Sequence, residues 1–321
     1  MFRQASSQSN VTRLGLLERV LSSSVTSAAC LAFLVINVVM MLTLRWKLVF
    51  RETSRYILLF HLLLADTLQM AISQVLYLLH TYRIILTYPQ CGVLVMLNIM
   101  TNNVSPLILV LMSLERYVAV CHPLRHASII TVRNTGAAVL SVWILTLLYL
   151  VTLLALLRFH FDQLETLMMP ELCSSDRLFP LLVLYRYRTA YNGFVFSSVC
   201  LLIVCSYIGV AMAARSASRS QRDKESARKA QQTLLLHLLQ LGLILLSCNH
   251  FAVVVFFYSV FPRLIFIRVQ AFLFVCFLFL PRCMASLVYG LRDRSIRVVL
   301  TSYLCCVRIE KTVRINGNRC L

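Results

Sequence analysis

Seven apolar runs follow one another along this chain, approximately Val25 to Leu44, Ile57 to Leu79, Gly92 to Leu114, Gly136 to Leu157, Ala190 to Ala214, Ala230 to Val260 and Leu264 to Tyr289. A helix needs roughly 20 largely apolar residues to cross the hydrocarbon core of a bilayer, and each run is about that long or longer. One such run could be the buried helix of a soluble domain. Seven in series would need a soluble core far larger than 321 residues can surround. Composition agrees: 60% of the residues are hydrophobic and 13% charged, against roughly a quarter charged in soluble domains. Eight glycines and seven prolines are too few for a collagen-like or low-complexity chain, and the apolar content excludes disorder. The expected fold is an all-α membrane protein, a seven-transmembrane helix bundle whose solvent is the lipid bilayer.

The net charge of +19 invites a nucleic-acid reading. The basic residues, however, lie between the apolar runs and not along one patch, which is the pattern of membrane topology. No nucleic-acid partner is expected. The segments between spans one and two, three and four, five and six, and after span seven hold 20 Lys and Arg, whereas the alternate segments hold nine. Basic residues are retained on the cytoplasmic side, so the N-terminus is expected outside and the C-terminus in the cytoplasm, at the plasma membrane. The sequon Asn10-Val11-Thr12 fits an extracellular glycosylation site. A second sequon, Asn103-Val104-Ser105, lies inside span three and is a chance match. No cleavable signal peptide is visible, and the first span is expected to act as its own insertion signal. The expected organisation is an extracellular N-terminus over 1–24, the bundle over 25–289 and a cytoplasmic tail over 290–321 with a short amphipathic helix. In that tail Cys305 and Cys306 stand beside Leu304 and Val307, a candidate palmitoylation site.

Ionisable side chains within a span are costly and are functional candidates by default. Asp66 in span two is the clearest, although a purely structural carboxylate satisfied by neighbouring hydroxyls and amides is the alternative. Arg116 stands where span three meets the cytoplasm, and from these residues alone it could equally snorkel at the membrane edge. Asn98, Asn102 and Ser105 are spaced by four and three, which puts them on one face of span three. That face either lines a cavity or forms a hydrogen-bonded seam with a neighbouring helix. Of the 12 cysteines, only Cys91 and Cys173 fall in segments expected to be extracellular, where thiols oxidise, so they are expected to pair. No His-Glu-x-x-His zinc site, phosphate-cradling Gly-rich loop or Gly-x-Ser-x-Gly elbow is present. An enzyme is not expected, nor any cofactor. His237 and His250 are isolated histidines that read as packing. A transporter would be expected to show pseudo-symmetric halves or Gly/Pro-broken spans, and neither is evident.

The stretch MSLERYVAVCHPLRH at the end of span three resembles the same region of rhodopsin-like (class A) G-protein-coupled receptors, and Ala119-Val120-Cys121-His122-Pro123-Leu124 is similar to the odorant-receptor version. LLLAD ending at Asp66, Asn37 in span one, Trp143 in span four and Ser206-Tyr207 in span five resemble further family signatures in the right order. ARKAQQTLLLH leading into span six and LPRCMASLVYGLRD ending span seven resemble the teleost odorant-receptor-like branch. The resemblance covers nearly the whole chain. It implies a receptor that takes a small-molecule ligand, an odorant, and activates a heterotrimeric G protein. A non-olfactory receptor of the same superfamily for a lipid or peptide is the alternative, and a transporter the alternative of another class.

Residue by residue, the resemblance implies that Glu115, Arg116 and Tyr117 form the coupling switch, with Tyr207 and Tyr289 supporting Arg116 in the open state. It implies that Tyr191, Asn192, Cys248 and Asn249 face the ligand, to which the polar face of span three would add Asn98 and Asn102, and that Asp66 with Asn37 and Ser105 forms a sodium pocket. The chain departs from the pattern at Ala285-Ser286, where the family carries Asn-Pro, and lacks the aromatic-Pro element of span six. Asn98 stands eighteen residues before Arg116, where amine receptors of the superfamily carry an aspartate, so a small cationic amine loses its counter-ion. Span seven holds no lysine, which excludes a retinal Schiff base.

Arg282 is unexplained by the resemblance. It precedes Tyr289 by seven residues, so it lies roughly 10 Å deeper in the membrane, and it shares a helical face with Ala285 and Tyr289. A guanidinium there needs a partner, as does Asp66. A buried ion pair between the two is expected, filling the space of the sodium pocket. Snorkelling along the span, or unwinding after Pro281 that exposes the side chain to water, is the rival.

Overall fold

A computed structural model of the chain describes residues 2–46, 48–160, 172–174, 182–216, 271–280 and 282–283, with single positions at 178, 228, 231–232, 235–236, 238–239 and 242. Side chains are described from residue 17 onward, and to 158 and 213 at the ends of the fourth and fifth long helices. Five helices among the described residues are long and apolar enough to cross a membrane: α1 (Phe2–Trp46), α3 (Ser54–Thr81), α4 (Tyr88–Cys121), α6 (Val132–His160) and α7 (Leu182–Ser216). They contain the first five apolar runs. The short helices α2 (Leu48–Arg51) and α5 (Pro123–Ile129) lie between them, and a π-helical turn (Val275–Phe279) lies in the seventh run. Cys305 and Cys306 and most of the sixth run lie outside the described residues.

α1 begins at Phe2 and not near Val25, so residues 2–24 continue the first span as helix. Nothing local stops it, because the first proline of the chain is Pro89. At 1.5 Å per residue this helix is roughly twice as long as the hydrocarbon core is thick. Its apolar stretch, Leu17–Trp46, is the part suited to the bilayer.

Helix boundaries elsewhere have identifiable causes. α3 ends where Arg83 takes a positive φ of 54°, while Arg83 N donates to the His80 carbonyl at 3.2 Å and Ile84 N to that of Leu79 at 2.9 Å. α4 opens on a capping box: the Thr87 side chain accepts from Gln90 N at 3.4 Å and Gln90 Oε1 accepts from Thr87 N at 3.2 Å. Pro89 sits in its first turn, where a missing N–H costs nothing. Pro123 opens α5 in the same way. Pro106 stands mid-helix in α4 and is buried; lacking an N–H, it donates no hydrogen bond to the preceding turn.

α4 is the most buried of the five spans and packs against α3, α5, α6 and α7. Its central turns, through Val104, Ile108, Leu109 and Met112, meet Leu58, Leu59, Leu62 and Leu63 of α3 and Val195, Val199 and Ile203 of α7. A second cluster gathers Cys91, Val95 and Met96 with Tyr149, Leu150 and Leu153 of α6 and Leu184 of α7. A third joins Cys30 of α1 and Met70 of α3 to Phe274, just before the π turn, and Phe279, its last residue. Leucines at the exposed positions of α1, α6 and α7 face outward, as the lipid-facing side of a bundle requires.

Candidate functional site

Polar groups occupy four levels along α4. At its first turn Cys91 is joined to Cys173 with an S–S distance of 2.01 Å, tying the segment before α7 to the top of α4. Beside this bond Tyr149 stacks on Tyr191 with ring centroids 3.6 Å apart, and on Tyr187 at 5.8 Å. The Thr152 and Tyr187 hydroxyls are 2.8 Å apart.

One level further along α4 lies a neutral cluster. Gln69 of α3 donates through Nε2 to Asn98 Oδ1 at 2.8 Å and to Ser73 Oγ at 3.4 Å, and its Oε1 accepts from the Thr101 hydroxyl. Gln69, Ser73 and Thr101 are buried and Asn98 half-buried. These are bonds of a helix–helix seam, so a ligand that uses Asn98 Oδ1 has to compete with Gln69. Sequence reasoning singled out Asn98 but missed Gln69, Ser73 and Thr101. The signal was there: Gln69 and Ser73 follow Asp66 by three and seven residues and so share its face.

The third level is ionic. Arg282 and Asp66 are each fully buried, and Arg282 Nη1 donates to Asp66 Oδ1 at 3.0 Å. Ser105 Oγ donates to the same oxygen at 2.7 Å. Arg282 Nη2 donates to Asn102 Oδ1 at 2.5 Å. The planar fork thus spans a carboxylate on α3 and an amide on α4. Neither Asp66 Oδ2 nor Arg282 Nε has a hydrogen-bond partner among the described residues. Arg282 and Cys283 are helical and Arg282 is inaccessible, so the side chain neither snorkels nor meets bulk water. The π-helical turn just before it adds a residue to one turn, which shifts the face on which the following side chains lie. Asn37 is fully buried on α1.

At the far end of α4, Arg116 Nε lies 3.2 Å from Glu115 Oε2, both side chains being largely buried. α5 folds back so that His126 Nε2 is 3.9 Å from Glu115 Oε1, an ion pair only when the imidazole is protonated. The tandem Glu-Arg was visible in the sequence, whereas His126 was missed, because nothing at a separation of eleven residues announces that a short helix reverses there. Tyr117 packs with Tyr207 and Val210 of α7, and its ring lies so close to Gly209 that a Cβ there would collide with it. Glycine is therefore what lets α7 approach Tyr117. The Tyr207 hydroxyl accepts from Gln231 Nε2 at 3.1 Å.

Among the other candidates, Tyr191 and Asn192 are half-buried on α7. Trp143 packs against the central core from α6. Asn103, the asparagine of the second sequon, is buried and donates to the Ile99 carbonyl at 2.8 Å. Cys248, Asn249, Ala285, Tyr289, His237 and His250 lie outside the described residues, as does the side chain of Asn10. Among the described residues no group of His, Cys, Asp and Glu could hold a metal ion.

Residues 36–297 match the family model described as 7 transmembrane receptor (rhodopsin family). The chain is 30% identical over 292 residues to Odorant receptor 131-2 of Danio rerio, covering 88% of each chain. It is 28% identical over 182 residues to Putative olfactory receptor 1F12P of Homo sapiens, covering 53% of this chain and 52% of that one. Olfactory receptor 2A25 of Homo sapiens is 37% identical over 115 residues, 34% of this chain and 36% of its own.

Proposed function

The chain belongs to the rhodopsin family of seven-transmembrane receptors, and on that premise we propose that it detects an extracellular small molecule, an odorant, and activates a heterotrimeric G protein. It is a multi-pass protein of the plasma membrane and not an enzyme. In the proposed orientation the N-terminus, residues 1–24, with Asn10 glycosylated, faces outward. The tail, residues 290–321, anchored by palmitate on Cys305 and Cys306, lies in the cytoplasm.

Ligand contacts are assigned to Asn98, Asn102, Tyr191, Asn192, Cys248 and Asn249. Coupling is assigned to Glu115, Arg116, Tyr117, Tyr207 and Tyr289. The observation that carries this reading is that one buried helix holds both ends of the path: Asn98 is on α4, and eighteen residues later Arg116 is paired with Glu115. That separation is roughly 27 Å of helix, close to the thickness of the hydrocarbon core. The pair of Glu115 with Arg116 supports reading this arrangement as the closed one. A ligand that binds the open form more tightly shifts the population toward a state in which the guanidinium fork is released to the carbonyls of an inserted G-protein helix.

The ligand-level side chains are neutral amides, hydroxyls and a thiol, which suits an uncharged odorant with one or two hydrogen-bonding groups. The relatives' printed names, odorant and olfactory receptors, support the same class. The test is a panel of volatile and water-soluble odorants applied to cells expressing the chain, with cyclic nucleotide and calcium read together. A messenger response that depends on both compound and receptor is expected. Uptake of a compound with no messenger response would replace the receptor reading with a transporter.

A further inference from the structure

We infer that Arg282 is a built-in counter-cation: the chain fills with its own guanidinium the place beside Asp66 that a monovalent metal ion from the medium would otherwise take. Asp66 and Arg282 are both at 0% exposure, and their contact is 3.0 Å. Within the membrane a buried carboxylate requires a positive partner, and here one negative and one positive charge already sum to zero. A second cation at this level would leave net positive charge in hydrocarbon and would sit against a like charge held on the same carboxylate.

The surroundings explain what the arginine displaces. Around its terminal nitrogens stand Asp66 Oδ1, Asn102 Oδ1 and, on the same carboxylate oxygen, Ser105 Oγ. Asp66 Oδ2 has no hydrogen-bond partner among the described residues. Two carboxylate oxygens, an amide oxygen and a hydroxyl are the hard oxygen donors that alkali and alkaline-earth cations take. Arg282 uses two of these oxygens directly, with the geometry of its planar fork, and links α3, α4 and the segment after the π turn in doing so. An ion could neutralise Asp66, but it is exchangeable and brings no covalent tie to the seventh run.

The experiment is thermal unfolding of the full chain in lipid nanodiscs, at equal ionic strength, in sodium chloride, potassium chloride or N-methyl-D-glucamine chloride. The wild-type midpoint is expected to be the same in all three salts. Arg282→Met, which keeps the bulk and removes the charge, is expected to unfold at a lower temperature in N-methyl-D-glucamine and to be restored, saturably, by sodium. The double variant Asp66→Asn with Arg282→Met is expected to recover stability and to lose the sodium response. A saturable, sodium-specific rise in the wild-type midpoint would overturn the inference, as would an Arg282→Met protein whose stability is unchanged or indifferent to sodium. If the single variant does not reach a folded state, a foldable double variant supports the pairing, and a double variant equally unable to fold overturns it.

Discussion

The cost of leaving a charge alone in the membrane decides what single residues do in this chain. Arg116 has Glu115 at 3.2 Å, one position away on the same helix. Such a pair is cheap to open, because sequence neighbours are held near each other whether or not they touch. Arg116→Ala is accordingly expected to reach the cell surface at wild-type levels and to lose at least tenfold in ligand-driven nucleotide exchange; surface labelling alongside the exchange assay checks both, and retained exchange would remove Arg116 from the coupling path. Asp66 and Arg282 are the opposite case, 216 positions apart and wholly buried. Both could be singled out on paper, because a carboxylate and a guanidinium deep in apolar runs each demand a partner. Gln69 and Thr101 could not be paired on paper. A neutral amide in a span is satisfied by any of several neighbours, and which one it meets depends on the register between α3 and α4.

At the scale of elements, length and polarity made five of the runs legible as helices within a few residues at most ends. The exceptions are the end of α4, which passes Leu114 to reach Cys121, the beginning of α7 at Leu182 and, by far the largest, the beginning of α1, because an apolar window marks where lipid is tolerated and not where backbone hydrogen bonding starts or stops. Helix continues from Phe2 because no proline interrupts it. The end of α3 carries a cost that can be removed: Arg83 occupies the left-handed region with φ 54° and is exposed. Arg83→Gly is expected to stabilise the protein by about 0.5–1 kcal/mol, since relief of the left-handed backbone cost outweighs the freedom that glycine adds to the unfolded chain. A rise in the unfolding midpoint is the check, and a fall would mean that the arginine head contributes more than its backbone costs. The Cys91–Cys173 bond fastens α4 to the segment ahead of α7. Replacing either cysteine by serine is expected to cost roughly 2–5 kcal/mol and to hold the receptor inside the cell. Non-reducing peptide mapping of the surface protein should recover the two cysteines in one linked fragment.

For the molecule as a whole, α4 is the helix against which α3, α5, α6 and α7 pack, while α1 packs on α3; Cys91, Asn98, Asn102, Ser105 and Arg116 follow one another along it at spacings that share one helical face. The sequence indicated that face by the spacing of Asn98, Asn102 and Ser105, but which helix each would meet came only from the packing. The contact between Asp66 and Arg282 also bears on how such a chain is made. Synthesis runs at roughly 5–20 residues per second, so some 10 to 40 seconds separate the two residues at the ribosome. During that interval α3 enters the membrane with a carboxylate whose partner does not yet exist. The seventh run then arrives with a guanidinium roughly 10 Å in from its end, a position that by itself opposes insertion by up to about 2.5–3.5 kcal/mol. Each span is thus a poor membrane segment until the other is beside it, and the last one is drawn in by a charge placed there first. Chains cut ahead of Arg282 are expected to be held in the endoplasmic reticulum and degraded, and Asp66→Asn in the same cut chain to lengthen its half-life. A pulse-chase comparison of the two would show whether an early acidic residue serves as the receptor's own check that its final helix has been made.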